Sequence, residues 1–150
     1  MHPEVFFGSE ALGRGVLVRR NGSIARGFEV KSTGRESARG DFVLDQTIRF
    51  DDGEVQTRRW TLTKTSAHRY RGTLTDASGP VRATTDHSVL SLSYRLAGVP
   101  LARVQQVLYL QPGGQTIINE GTVRILGIRV RRLHEVIEIA EPADQLRAVD

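Results

Sequence analysis

The chain has 150 residues, enough for one domain with its own core and too few for two comfortable ones. It contains no cysteine, which excludes disulfides, thiolate metal sites and cysteine nucleophiles. The net charge is +4, and Lys31 and Lys64 are the only lysines among 21 basic residues. The arginines are scattered, and no basic run interleaved with aromatics is present to stack on bases, so no nucleic-acid partner is expected.

Met1-His2-Pro3-Glu4 lacks the basic and apolar regions of a signal peptide. No window nears the ~18 apolar residues of a membrane helix. A cytoplasmic location without a membrane span is therefore expected. In chain order, Pro3 to Phe7 reads as a short helical turn. Period-two alternation then predicts strands over about 13–20, 23–33, 40–50, 54–64, 68–76, 80–86, 88–97, 103–111, 115–126 and 129–140. Turn chemistry separates them, as at Asn21-Gly22, Asp51-Asp52-Gly53, Gly98-Val99-Pro100 and Pro112-Gly113-Gly114. The end, from Pro142 to Val149, reads as a short helix or a disordered tail.

One hairpin can be placed in register from the sequence. A three-residue turn at Asp51-Asp52-Gly53 pairs Phe42 with Leu62, Leu44 with Trp60 and Gln46 with Arg58. This register gathers the large apolar groups on one face and puts glycine where a left-handed residue is needed. It also sends Gln46 and Arg58 to the interior. Sequential short hairpins without crossovers predict an all-β fold. That fold is a single antiparallel up-and-down barrel of about eight to ten strands over 1–150, closed so that no edge is exposed.

The order and spacing of several short patterns resembles an uncharacterised bacterial family whose members are mostly described as lipoproteins of unknown function. The patterns are Arg20-x-Gly22, Phe28-x-Val30, Leu44-Asp45-Gln46-x-Ile48-x-Phe50-Asp51-Asp52-Gly53 and Arg58-x-Trp60-x-Leu62. They continue as Tyr70-x-Gly72-x-Leu74-x-Asp76, Tyr94-x-Leu96, Tyr109-Leu110, Asn119 and Gly127, so that the likeness runs from Phe6-Phe7-Gly8 to about Ile139. The resemblance implies a lipocalin-like (calycin-like) barrel. The chain departs from the family at Gln46, where the family carries an acid, and at Gln106-Val107, where it tends to carry Asp-Trp. It departs again near Gly127, where the family has a lysine. It also lacks the lipidation cysteine, so membrane anchoring of the family type does not carry over.

The candidate ligand-binding residues are Gln46, Arg58, Trp60, Tyr70, Tyr94 and Asn119. A buried arginine needs partners. At the floor of a cavity, Arg58 would clamp an acidic group of a small, partly apolar ligand; alternatively Asp76 or Asp45 closes an internal network around it. The aromatics line a pocket on the first reading and fill a core on the second. The histidines His68, His87 and His134 show no metal spacing, and no metal or cofactor is expected. Asp86-His87-Ser88 names the residue types of a triad, but adjacent strand residues point to opposite faces and cannot assemble one. No catalytic residue is assigned. The functions rank as a binding module, then a packed barrel acting through its surface, with apolar alternation near Ile117-Ile118 and Val136-Ile137 as a homodimer face. An enzyme using Tyr70, Arg58 and Asp76 comes last.

Overall fold

A computed structural model describes residues 1–140; the expected terminal stretch from Pro142 to Val149 lies outside the described residues. A short helix, α1 (Pro3–Phe6), precedes ten strands: β1 (Glu10–Arg19), β2 (Ile24–Glu36), β3 (Phe42–Phe50), β4 (Val55–Ser66), β5 (Arg69–Leu74), β6 (Ala77–Asp86), β7 (Val89–Leu96), β8 (Ala102–Leu110), β9 (Thr116–Ile125) and β10 (Ile128–Ile139). Each expected strand forms, with ends displaced by at most three residues. The largest displacement on the 77–86 strand has a local cause. Pro80 cannot donate to a ladder, and it sits where the β6–β7 register shifts between Ser78 and Arg82.

Consecutive strands pair antiparallel, and β1 closes on β10, so the sheet is a closed barrel. The closing ladder runs from Ala11 opposite Ile139 to Arg19 opposite Arg131. The β3–β4 hairpin has the register that the turn predicts, with Phe42 opposite Leu62, Leu44 opposite Trp60 and Gln46 opposite Arg58. Gly53 holds φ +92, and the turn is closed by Phe50 N donating to the Glu54 carbonyl at 2.9 Å. Replacing Gly53 with alanine should cost about 1 kcal/mol, because a Cβ disfavours that φ. A lower urea midpoint with unchanged slope is the expected reading.

Alternation places Leu90, Leu92 and Tyr94 of β7, Val104 and Leu108 of β8, and Ile117 of β9 inside the barrel. The side closed by β5 and β6 is solid, packed by Tyr70, Leu74, Val81 and Ala83. The inner face of β1 is small, with Gly13 on it beside Ala11, and leaves room there. Alternation also divides the apolar pairs of β9 and β10. Ile117 and Ile137 are buried inside, whereas Ile118 and Val136 face outward as cross-strand partners, half-buried. The apolar outer face is thus half of what the run of residues suggests.

One end of the barrel is stoppered by the N-terminal segment. Met1, Pro3 and Phe7 are buried there, and the Met1 amino group donates to Thr85 Oγ1 at 2.6 Å and to the His87 carbonyl. The segment lies so close to β2 that a Cβ on Gly34 would overlap the Phe7 carbonyl oxygen. The opposite end carries the β1–β2, β3–β4, β5–β6, β7–β8 and β9–β10 turns.

Candidate functional site

A cavity of about 120 Å³ runs inside the barrel. Its walls come from β1–β4 and β7–β10, and β5 and β6 contribute nothing to them. Toward α1 the lining is Pro3, Phe7 and Phe42, all buried; toward the other end it is Leu17, Phe28, Phe50 and Leu133, all half-buried. The cavity is therefore sealed by α1 and more accessible at the end bearing the five turns.

Its middle is polar. Gln46 of β3 bridges two neighbouring strands: Trp60 Nε1 donates to Gln46 Oε1 at 2.7 Å, and Gln46 Nε2 donates to Ser32 Oγ at 3.1 Å. On the facing wall Asn119 Nδ2 donates to Glu135 Oε1 at 2.9 Å, and both residues are buried. Glu135 has space because β1 runs past it with glycines: Gly15 is its partner across the seam, and a Cβ on Gly13, the next inward position, would overlap Glu135 Oε2. Burial pushes the Glu135 carboxyl above its ordinary value, and the Asn119 hydrogen bond and the Arg58 charge only partly oppose this. Two acceptors in this band, Gln106 Oε1 and Asn119 Oδ1, are buried with no hydrogen-bond partner. Such atoms cost stability when left dry.

Arg58 is half-buried between the cavity and the wall. Its Nε lies 3.1 Å from Asp76 Oδ2 but is not aligned for a hydrogen bond, so the contact is an ion pair and Nε keeps no hydrogen-bond partner. Burial raises the pKa of the neighbouring Tyr94 hydroxyl, and the Arg58 guanidinium beside it partly opposes the rise. Asp45 does not join this network; it faces outward and pairs with Arg59 at 2.6 Å. The internal pairing of Arg58 with Asp76, one of the two alternatives open from sequence, is the geometry observed.

Gln46, Arg58, Trp60 and Asn119 therefore share the cavity wall. Tyr94 stands behind it, edge-on to Trp60 with ring centroids 5.6 Å apart. Tyr70 lies elsewhere, under α1, where its hydroxyl donates to Glu4 at 2.8 Å and meets His2 Nδ1 at 2.8 Å. Burial and Glu4 together drive its pKa upward. Tyr70 and Arg58 do not converge on one point, so the trio with Asp76 forms no common centre. Glu135, Gln106 and Ser32 complete the polar band and were not among the residues expected. His134 is outside, bonded to Glu120, and His87 is exposed beside Asp86. Among the described residues no cluster of three or more potential ligands could hold a metal ion.

The sequence pattern of one family covers residues 1–138. The chain belongs to the family described as protein of unknown function (DUF3833). No curated protein matches it. In shape this DUF3833 chain is similar to the S-type phycobiliprotein lyase CPES from Guillardia theta, at a TM-score of 0.68 and 8% identity over 95% of this chain and 94% of that one. It is also similar to Rv2717c from M. tuberculosis, at a TM-score of 0.67 and 14% identity over 89% and 92% of the two chains. A de novo designed fluorescence-activating β-barrel matches at a TM-score of 0.52 and 9% identity over 93% and 99%. At these identities the likeness is one of fold.

Proposed function

We propose that this DUF3833 barrel is a non-enzymatic binding module for a small, mostly apolar molecule that enters from the end opposite α1. The observation that carries the reading is the pair of unpartnered acceptors, Gln106 Oε1 and Asn119 Oδ1, buried in the polar band of a cavity lined mostly by leucine, isoleucine and phenylalanine. Such an arrangement suits a ligand with an apolar body and one polar end. An acidic end would have to compete with Asp76, which already sits on Arg58. A donor, such as a hydroxyl, an amide N–H or an amine, meets the two free acceptors and the Glu135 carboxyl instead. A cavity of this size takes something near a single ring, since an engineered apolar cavity of about 150 Å³ binds benzene.

The test is native mass spectrometry of protein purified without refolding, followed by organic extraction. A stoichiometric small mass is expected, and Val30→Phe, which fills the cavity from its apolar wall, should lose it. A clean unliganded mass, with no small aromatic amine or alcohol binding in titration, would sink the proposal and leave a barrel that acts through its surface. A second reading rests on Glu135 alone: a buried carboxyl with a raised pKa can carry a proton to a bound substrate. Chemical change of the extracted molecule on incubation, lost in Glu135→Gln, would favour that enzyme.

A further inference from the structure

Eight large apolar side chains stand exposed among the described residues, and six of them, Ile24, Val55, Val99, Leu101, Leu126 and Ile128, gather at the end of the barrel away from α1. The most prominent are Leu126, 75% exposed, and Leu101, 70% exposed. Both are held in the left-handed region, with φ of +51 and +61. Glycine is at ease there and leucine is strained. Two turns that would be more relaxed with glycine thus present a bare leucine to the outside.

Just behind these tips is a row of like charge. Arg95 is opposite Arg103, Arg103 opposite Arg124, and Arg124 opposite Arg129, so four arginines from β7, β8, β9 and β10 stand side by side on the outer face. Like charges directly opposed across a ladder repel. No carboxylate among the described residues pairs with any of the four; Arg124 reaches only the neutral acceptors Gln105 Oε1 and Thr122 Oγ1. Arg20 of the β1–β2 turn joins Arg124 and Arg129 around one surface hollow. The acids of this end lie at the β3–β4 turn, where Arg26 holds Asp52 and Glu54, and at the β5–β6 turn, where Asp76 pairs with Arg58.

We propose that this end of the barrel docks on the surface of an anionic phospholipid bilayer. Leu101, Leu126 and their apolar neighbours enter the interface, and the arginine row meets the lipid phosphates. The depth order fits: apolar tips outermost, cations one step behind, as for elements that lie in the interface without crossing it. A nucleic acid would satisfy the arginines and strand the leucines in water, and none of the six exposed tips is aromatic to stack on a base. The docking stands apart from the cavity reading and needs no ligand. It does bring the accessible end of the cavity to the membrane.

Co-sedimentation tests it, with vesicles of phosphatidylglycerol mixed into phosphatidylcholine against vesicles of phosphatidylcholine alone. The protein should bind the mixed vesicles and leave the neutral ones, with binding that weakens as salt rises. Arg103→Glu with Arg124→Glu should lower affinity for the mixed vesicles by about tenfold or more. Leu101→Gly with Leu126→Gly should lower it by about tenfold while the thermal midpoint stays at or above the parent's, because glycine relaxes both turns. No binding to mixed vesicles overturns the proposal. So does binding unchanged by the glycine pair, or tighter salt-dependent binding to duplex DNA than to the vesicles.

Discussion

Replacing Glu135 with glutamine should make the barrel more stable at neutral pH and flatten its response to pH. Glu135 is 6% exposed, and burial raises its carboxyl pKa above the ordinary 4.5. The folded state therefore holds a proton that the unfolded chain has released. The stabilising contribution is complete below the unfolded pKa and is lost as pH rises through the folded one. Within that window each pH unit costs up to about 1.4 kcal/mol. Glutamine keeps the hydrogen-bonding partner for Asn119 and cannot ionise. Urea midpoints from pH 4 upward should fall for the parent and stay level for Glu135→Gln. Parallel curves would show that Glu135 ionises inside the barrel without cost, with Arg58 carrying its charge.

The second large effect concerns the stopper. Alanine at Gly34 puts a methyl group where the Phe7 carbonyl oxygen lies, and backbone on both sides resists the shift. The N-terminal segment should lift off the barrel, exposing Met1, Pro3 and Phe7 and breaking the Tyr70–Glu4 hydrogen bond. Overpacking at this scale costs about 3 kcal/mol. Two readings check it: a lowered unfolding midpoint, and rapid proteolysis confined to residues 1–9 in a barrel that is otherwise resistant. A variant with the parent's midpoint and resistance would show that α1 slides aside freely.

Much of this fold is visible in the chain because each hairpin carries its own register. Asp51-Asp52-Gly53 alone fixes Gln46 opposite Arg58, and alternation then carries the reading along both strands. Glu135 escaped for the opposite reason. A carboxylate in a strand reads as solvent-facing, although Leu133, Glu135 and Ile137 share one face by alternation. The apolar neighbours two residues on either side were the available signal. Alternation groups Tyr70 with Arg58 on inward strand positions, but the β4–β5 register sets Tyr70 opposite Lys64, further toward α1 than Arg58, where Glu4 meets its hydroxyl. The arginines misled similarly. Read along the chain they alternate between faces, and only the registers of β7 to β10 bring Arg95, Arg103, Arg124 and Arg129 into one row.

The β1–β10 seam has a kinetic meaning. Every other ladder joins neighbours in sequence, so a growing meander can zip hairpin by hairpin. The seam alone ties the first strand to the last, Ala11 to Ile139, and forms only once the whole sheet exists. Until then β1 presents an unpaired row of amides and carbonyls, and so does whichever strand is newest. A chain stalled or cut before β10 is a sheet with two open edges, the form in which strands from different molecules add to one another. Closure thus acts as the last step that commits each molecule to itself.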